Sequence, residues 1–268
     1  MRAQFLVVGG CVFGAVLLAN NRNSYAAWTA GPPATYFIDE STDFTVPGSL
    51  CQNTDVNDIT SSLRTALNGD GWSGTRFVNS TAWPQDLKES SFNPSAWFDD
   101  VYADNKALSV YAGHGNVDSL QYGSTHAGDC GVTISTQMRM GRLDGGKNRV
   151  FMYLTSCTGT HGSHSTTIFQ SGSGQHLAYH NSPNIEDNQP RDMYNATWNS
   201  SNRTAWVNIM DDRPGTGWNS PVVYTRNSDP DLALWYHLNA RLALENHHQM
   251  GQPFLNYYYV TLVNNGGC

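Results

Sequence analysis

A histidine between two glycines, Gly113-His114-Gly115, and a cysteine behind a serine, Ser156-Cys157, place an imidazole and a thiol 43 positions apart, from 114 to 157. Together these side chains can carry out acyl transfer. A thiol alone ionises near pH 8.5. A neighbouring imidazole favours the thiolate or takes its proton during attack. Glycine after the histidine lets a substrate backbone come close and leaves an N–H to stabilise an oxyanion.

Both residues follow short apolar runs. Ala107 to Ala112 (ALSVYA) leads into Gly113, and Arg149 to Thr155 (RVFMYLT) leads into Ser156. Apolar runs of this length bounded by glycine or small residues read as buried parallel strands. In an open α/β sheet, sites gather outside the carboxyl ends of the strands. If the two strands are neighbours, His114 and Cys157 project from the same edge.

The elements around them alternate between strand and helix. Tyr36 to Asp39 reads as a strand. Asp55 to Leu67 sets Val56, Ile59, Leu63 and Leu67 on one helical face. Ser165 to His180 reads as a helix weakened by Gly172 and Gly174, Asn181 to Arg203 as turn-rich, and Ala205 to Met210 as a strand. Asp229-Pro230 opens a helix with an apolar stripe of Leu234, Trp235, Leu238 and Leu242, stopped by Gly251 and Pro253. Phe254 to Val263 reads as a last strand. The alternation predicts an α/β sheet.

The segments SVYAGHGN and FMYLTSC resemble the clan CD cysteine peptidases, the group that includes caspases, metacaspases, legumains, gingipains, separases and clostripain. The shared pattern is a hydrophobic strand ending in His-Gly, then a second ending in a small residue and Cys. The resemblance covers roughly residues 105–160. It implies a caspase-like three-layer α/β sandwich, a mostly parallel sheet with helices on both faces, formed as a single domain over residues 27–268. It implies Cys157 as nucleophile, His114 as general acid/base, and the backbone N–H groups of Gly115 and Cys157 as the oxyanion hole. No cofactor or metal is implied, and the substrate would be a peptide or protein. The Gln-Ala-Cys-Arg-Gly flank of caspases is absent; Thr155-Ser156-Cys157-Thr158-Gly159 stands in its place.

Ser156, His161 and His164 are candidates to line the cleft beside Cys157. Asp39 and Glu40, at the end of the first strand, are candidates to orient His114 or shape a specificity pocket. Two other readings stay open. His161-Gly-Ser-His164 with His114, His126 and Asp129 could hold zinc for a metal-dependent hydrolase, although the spacing is not His-Glu-x-x-His. Alternatively, the chain is a catalytically inactive secreted binding module of the same fold. The pairs Asp99-Asp100 and Asp211-Asp212 read as solvated. Trp72, Trp83, Trp97, Trp198, Trp206 and Trp218 read as packing residues rather than a sugar platform. His176, His180, His237, His247 and His248 read as surface or packing residues.

The chain has 268 residues, of which 39% are hydrophobic, 12% aromatic and 14% charged, with a net charge of -7. This composition argues against disorder. Only Lys88, Lys106 and Lys147 are lysines, and no basic stripe is present, so nucleic acid is not an expected partner. Arg2 followed by an apolar run from Phe5 to Ala19 reads as a signal peptide, residues 1–26, which predicts a secreted or extracytoplasmic protein with no membrane association after cleavage. Sequons at Asn79, Asn195, Asn199 and Asn202 agree with export. Cys51, Cys130, Cys157 and Cys268 remain after cleavage, an even number that suggests disulfides. Two bridges would leave no free thiol. With Cys157 free, one bridge forms among the other three, and Cys51 with Cys268 would staple the two ends.

Overall fold

Branched and aromatic side chains dominate the segments that build the central sheet. A computed structural model describes residues 34–45, 51, 53–140, 148–158, 174–211, 219–227, 230–243, 257–263 and 265–268. The chain divides into two units, Met1–Ala30 and Gly31–Cys268. The first lies outside the described residues, as does the expected export segment. In chain order the strands are β1 (Thr35–Glu40), β2 (Ser73–Val78), β3 (Leu108–Ala112), β4 (Gly115–Asn116), β5 (Ser119–His126), β6 (Asp129–Thr133), β7 (Val150–Leu154), β8 (Gln175–Tyr179), β9 (Pro221–Asn227) and β10 (Tyr257–Leu262). The helices are α1 (Ser61–Gly69), α2 (Ile134–Gln137), α3 (Gln189–Ala196), α4 (Asn202–Met210) and α5 (Pro230–Asn239).

Seven strands form one sheet in the order β10-β9-β8-β7-β3-β1-β2. The pairs β2–β1, β1–β3, β3–β7 and β7–β8 are parallel; β8–β9 and β9–β10 are antiparallel. Every residue of β3, β7 and β8 is buried, as expected of parallel strands covered on both faces. One face of the sheet, through Ile38, Val110, Met152 and Leu177, packs on Leu63 and Leu67 of α1, Met193 and Tyr194 of α3, and Trp206 of α4. The other face, through Phe37, Tyr111, Phe151 and Tyr153, packs on Leu87, Leu120, Tyr122, Val132 and Ile134. The protein is thus α/β, with a mostly parallel sheet flanked by helices. The second face is covered largely by the antiparallel β4–β5–β6 sheet and by one-turn 3-10 helices, with α2 the short α-helix on that side.

Local expectations fail where a cap or a tertiary pairing overrides them. α1 starts at Ser61, not Asp55, because Asp58 Oδ1 accepts the N–H groups of Thr60 and Ser61. The predicted strand at Ala205–Met210 is helix α4: Ser201 Oγ caps it by accepting the Thr204 N–H, and Trp206 and Met210 share a face at helical spacing. In the predicted turn-rich stretch, α3 forms behind Pro190 and buries Met193 and Tyr194. The described end of the predicted 165–180 helix is strand β8, drawn in between β7 and β9. Asp229, Gly251 and Pro253 lie outside the described residues.

The second face also encloses carboxyls. Asp39 accepts the hydroxyl of Tyr122, and burial together with nearby Asp86 pushes its pKa well above the ordinary value. Burial raises Asp86 to about 7. Asp99 is buried rather than solvated as its sequence suggested. Burial, with Asp104 and Glu89 nearby, raises it to about 9. An unfolded carboxyl ionises near pH 3.9, so folding takes up protons at these sites. The stability they contribute is complete below about pH 4. It is lost as pH rises through about 7 for Asp86 and about 9 for Asp99. Thermal unfolding followed by circular dichroism should show a midpoint falling by several degrees between about pH 5 and about pH 9. Replacing both carboxyls, Asp86→Asn with Asp99→Asn, should flatten that slope.

Candidate active site

β3 and β7 are parallel neighbours in register, with Ala112 opposite Leu154. Paired strands lie about 4.8 Å apart. The residues after them, Gly113-His114-Gly115 and Thr155-Ser156-Cys157, therefore leave the sheet at one edge. β8 flanks β7 on its other side and delivers His180, Asn181 and Ser182 to that edge.

The glycines around His114 are required by space. Gly113 has φ +154°, and a Cβ there would lie 2.8 Å from Tyr111 Oη and 3.0 Å from the Ser41 carbonyl. A Cβ on Gly115 would lie 2.5 Å from Thr155 Oγ1 and 2.8 Å from the Ser119 carbonyl. The Gly115 position thus packs the His114 turn directly on the residue two places before Cys157. The buried Tyr111 hydroxyl donates to the carbonyls of His114 and Gln121, fastening the turn to the small sheet. The half-buried His114 ring meets Phe44 edge-on, with centroids 4.7 Å apart, and its Nε2–H donates to the Thr54 carbonyl.

Cys157 has φ +60°. That left-handed conformation costs a non-glycine residue about 1–2 kcal/mol, and such strain clusters at functional positions. The Cys157 N–H donates to the Asn181 carbonyl at 3.0 Å. It is therefore occupied rather than facing an oxyanion in this form. The Gly115 N–H is placed differently. Gln121 N–H donates to the His114 carbonyl, and Gly115 pairs with Leu120. Bonded and non-bonded pairs alternate along an antiparallel ladder, so the Gly115 N–H faces away from β5.

The cysteines form two bridges, Cys51–Cys130 and Cys157–Cys268. The pairing of Cys51 with Cys268 is thereby corrected: Cys51 joins β6, and Cys268 lies against the end of β8, where its N–H donates to the His180 carbonyl at 3.1 Å. Cys157 Sγ also lies 3.9 Å from Ser182 Oγ. As a disulfide sulfur, Cys157 is not a nucleophile in this form.

Two further expectations are corrected. Asp39 and Glu40 do not turn toward His114. Asp39 lies beneath the sheet with Tyr122. Glu40 is buried in an ion pair with Arg76 at 2.7 Å, and it accepts the Ile59 N–H at 2.9 Å and the Thr60 hydroxyl. Their alternation along β1 sends them to opposite faces, and each finds its partner there; Glu40 moors the start of α1. Ser156 is half-buried beside Cys157. His161 and His164 lie outside the described residues.

The described zinc candidates, His114, His126 and Asp129, do not converge. His126 stacks on Trp83, with centroids 3.7 Å apart, and its Nδ1 lies 3.0 Å from Gln85 Oε1. Asp129 pairs with Lys88 at 2.7 Å, and His114 points to Thr54. Among the described residues, no three His, Cys, Asp or Glu side chains gather into a possible metal set.

Sequence reasoning assigned His180 to surface or packing, yet it shares the edge with Cys157. Its ring lies against Gly267, where an added Cβ would be 3.0 Å from Nε2. The signal was an apolar run, His-Leu-Ala-Tyr, ending at His180, the same grammar as the other two strand ends. No protein-family model matches the chain, and no curated protein matches it in sequence. Among the described residues, no helix is long and apolar enough to cross a membrane.

The contact between Gly115 and Thr155 gives a direct test. Gly115→Ala forces its methyl against a backbone carbonyl and a buried side chain, and should cost about 1–3 kcal/mol in chemical denaturation, as overpacking does. Unchanged stability would mean that the His114 turn does not rest on Thr155.

Proposed function

We propose that the chain is a cysteine endopeptidase of the clan CD type, acting outside the cytoplasm on peptide or protein substrates, and that the form described above is its oxidised, inactive state. The observation that carries this reading is the in-register parallel pairing of β3 with β7, with His114 and Cys157 following the carboxyl ends of the two strands. The caspase-like identity of the fold belongs to the same proposal. It is supported by the mostly parallel sheet and by the insertion of a small antiparallel sheet between the histidine strand and the cysteine strand. The two disulfides agree with an oxidising compartment.

In the reduced protein the Cys157 thiolate attacks the substrate carbonyl. The negative oxygen of the tetrahedral intermediate is met by the Gly115 N–H, and by the Cys157 N–H once it leaves Asn181. His114 gives up its contact with the Thr54 carbonyl and protonates the leaving amine. Water then hydrolyses the thioester, and no cofactor takes part.

The test is hydrolysis of a peptide library by the protein after mild reduction. Cys157→Ala and His114→Ala should each lower the rate by about a thousandfold or more, with far-ultraviolet circular dichroism unchanged. Retained hydrolysis in Cys157→Ala sinks the mechanism. The Cys157–Cys268 bridge favours a second reading, a non-catalytic secreted module in which this bond is purely structural. That reading predicts no hydrolysis at any redox state, and loss of folded structure when the bridge is reduced.

A further inference from the structure

We propose that the segment Asn265–Cys268 is a redox latch on Cys157, opened by thiol–disulfide exchange with a dithiol reductant. This inference rests on the peptidase reading for its consequence, but the latch itself is a property of the thiols.

The two sulfurs of the bridge differ in access. Cys157 is buried, 8% exposed, at the end of β7, whereas Cys268 is exposed, as are Asn265, Gly266 and Gly267. A reductant therefore meets the Cys268 sulfur. Its thiolate forms a bond to Cys268 Sγ, the Cys157–Cys268 bond breaks, and the electron pair leaves on Cys157 as a thiolate. The second thiol of the reductant, once deprotonated, attacks the mixed disulfide and releases Cys268, which takes up a proton. The reductant ends as a disulfide, the protein as two thiols, and two electrons have passed. The sulfur released first is the one the proposed mechanism needs, in the ionisation state it needs.

Hydrogen bonds also hold the segment. The Cys268 N–H donates to the His180 carbonyl, and the Ser220 hydroxyl donates to the Gly266 carbonyl at 2.8 Å. The Asn265 N–H donates to Ser220 Oγ at 3.0 Å, and the Asn265 side-chain amide donates to Asp211 Oδ1 and to the Asn219 carbonyl. None of these places an apolar side chain of the segment in the core. Its two glycines and its asparagine bury little apolar surface, so the covalent bond contributes much to holding it. The other bridge is placed differently: Cys51 is buried and Cys130 is half-buried in β6.

The measurement is differential alkylation of the disulfide-intact protein titrated with dithiothreitol, mapped by mass spectrometry. Cys157 and Cys268 should become labelled at lower reductant than Cys51 and Cys130, while circular dichroism stays native. Cys268→Ser should label at Cys157 with no reductant. Because a freed Cys157 can mispair during folding, Ser220→Ala serves as a second variant that keeps all four cysteines. It removes both Ser220 hydrogen bonds to the segment, and should lower the reductant needed to open the bridge roughly fivefold. Opening of both bridges together, only on unfolding, overturns the latch. The peptidase reading fails separately. Labelling of Cys157 without peptide hydrolysis upholds the latch and removes the protease. Hydrolysis that reductant leaves unchanged removes Cys157 from the peptidase mechanism, and the order of labelling still decides the latch.

Discussion

The pairing of β3 with β7 is the constraint on which the rest depends. Apart from Ser109 both strands are built of apolar and aromatic residues, and every residue of both is buried, so neither can sit at an edge without exposing a side to water. Their parallel register brings two loops, distant in sequence, to one border of the sheet. Everything chemical about the site follows from that border. Gly115, beside His114, keeps the turn close enough to contact Thr155, and Gly113 lets it pass Tyr111 and Ser41. The Tyr111 hydroxyl ties the same turn to the small sheet that fills the connection between the two strands.

Buried charge is handled in two ways on the two sides of β1. Glu40 pairs with Arg76 and accepts the Ile59 N–H and the Thr60 hydroxyl, so its cost of burial is offset by charge-assisted bonds. Asp39, one position earlier and on the opposite face, has Tyr122 and another carboxyl, Asp86, as neighbours. With no cation beside it in its described contacts, a carboxyl in that setting is stabilised as the neutral acid. One residue of alternation thus separates an ion pair that anchors a helix from an acid pair within the second layer.

The disulfides are the covalent counterpart of these choices. They span 79 and 111 residues, and in the loop-closure account each contributes about 4–5 kcal/mol. Cys51–Cys130 ties the segment after β1 to the small sheet. Cys157–Cys268 closes the border where His114, Cys157 and His180 emerge. A bond at that point has a chemical effect as well as a mechanical one, because it consumes the thiol.

Composition and local pattern in the sequence were enough to read the α/β class, the strands β1, β3, β7 and β10, and the candidate pair His114 and Cys157. Burial on both faces leaves a direct mark, a short apolar run, and glycines mark where the chain must turn tightly. α4 and β8 were misread because Ala205–Met210 is rich enough in branched residues to imitate a strand, and because β8 exists only through its partners. The partners of Asp39 and Glu40 were invisible for a similar reason: Tyr122 and Arg76 stand 83 and 36 positions away. Which cysteines pair could not be read from four positions along a chain, since a bridge requires Cα atoms within about 7 Å and only folding sets that distance. The sequence by itself determined which residues are capable of the chemistry. Tertiary structure decided that the segments carrying His114 and Cys157 leave the sheet at one edge, that a second histidine, His180, joins them, and that the sulfur there is bonded to Cys268, because each of these depends on contacts between segments far apart in the chain.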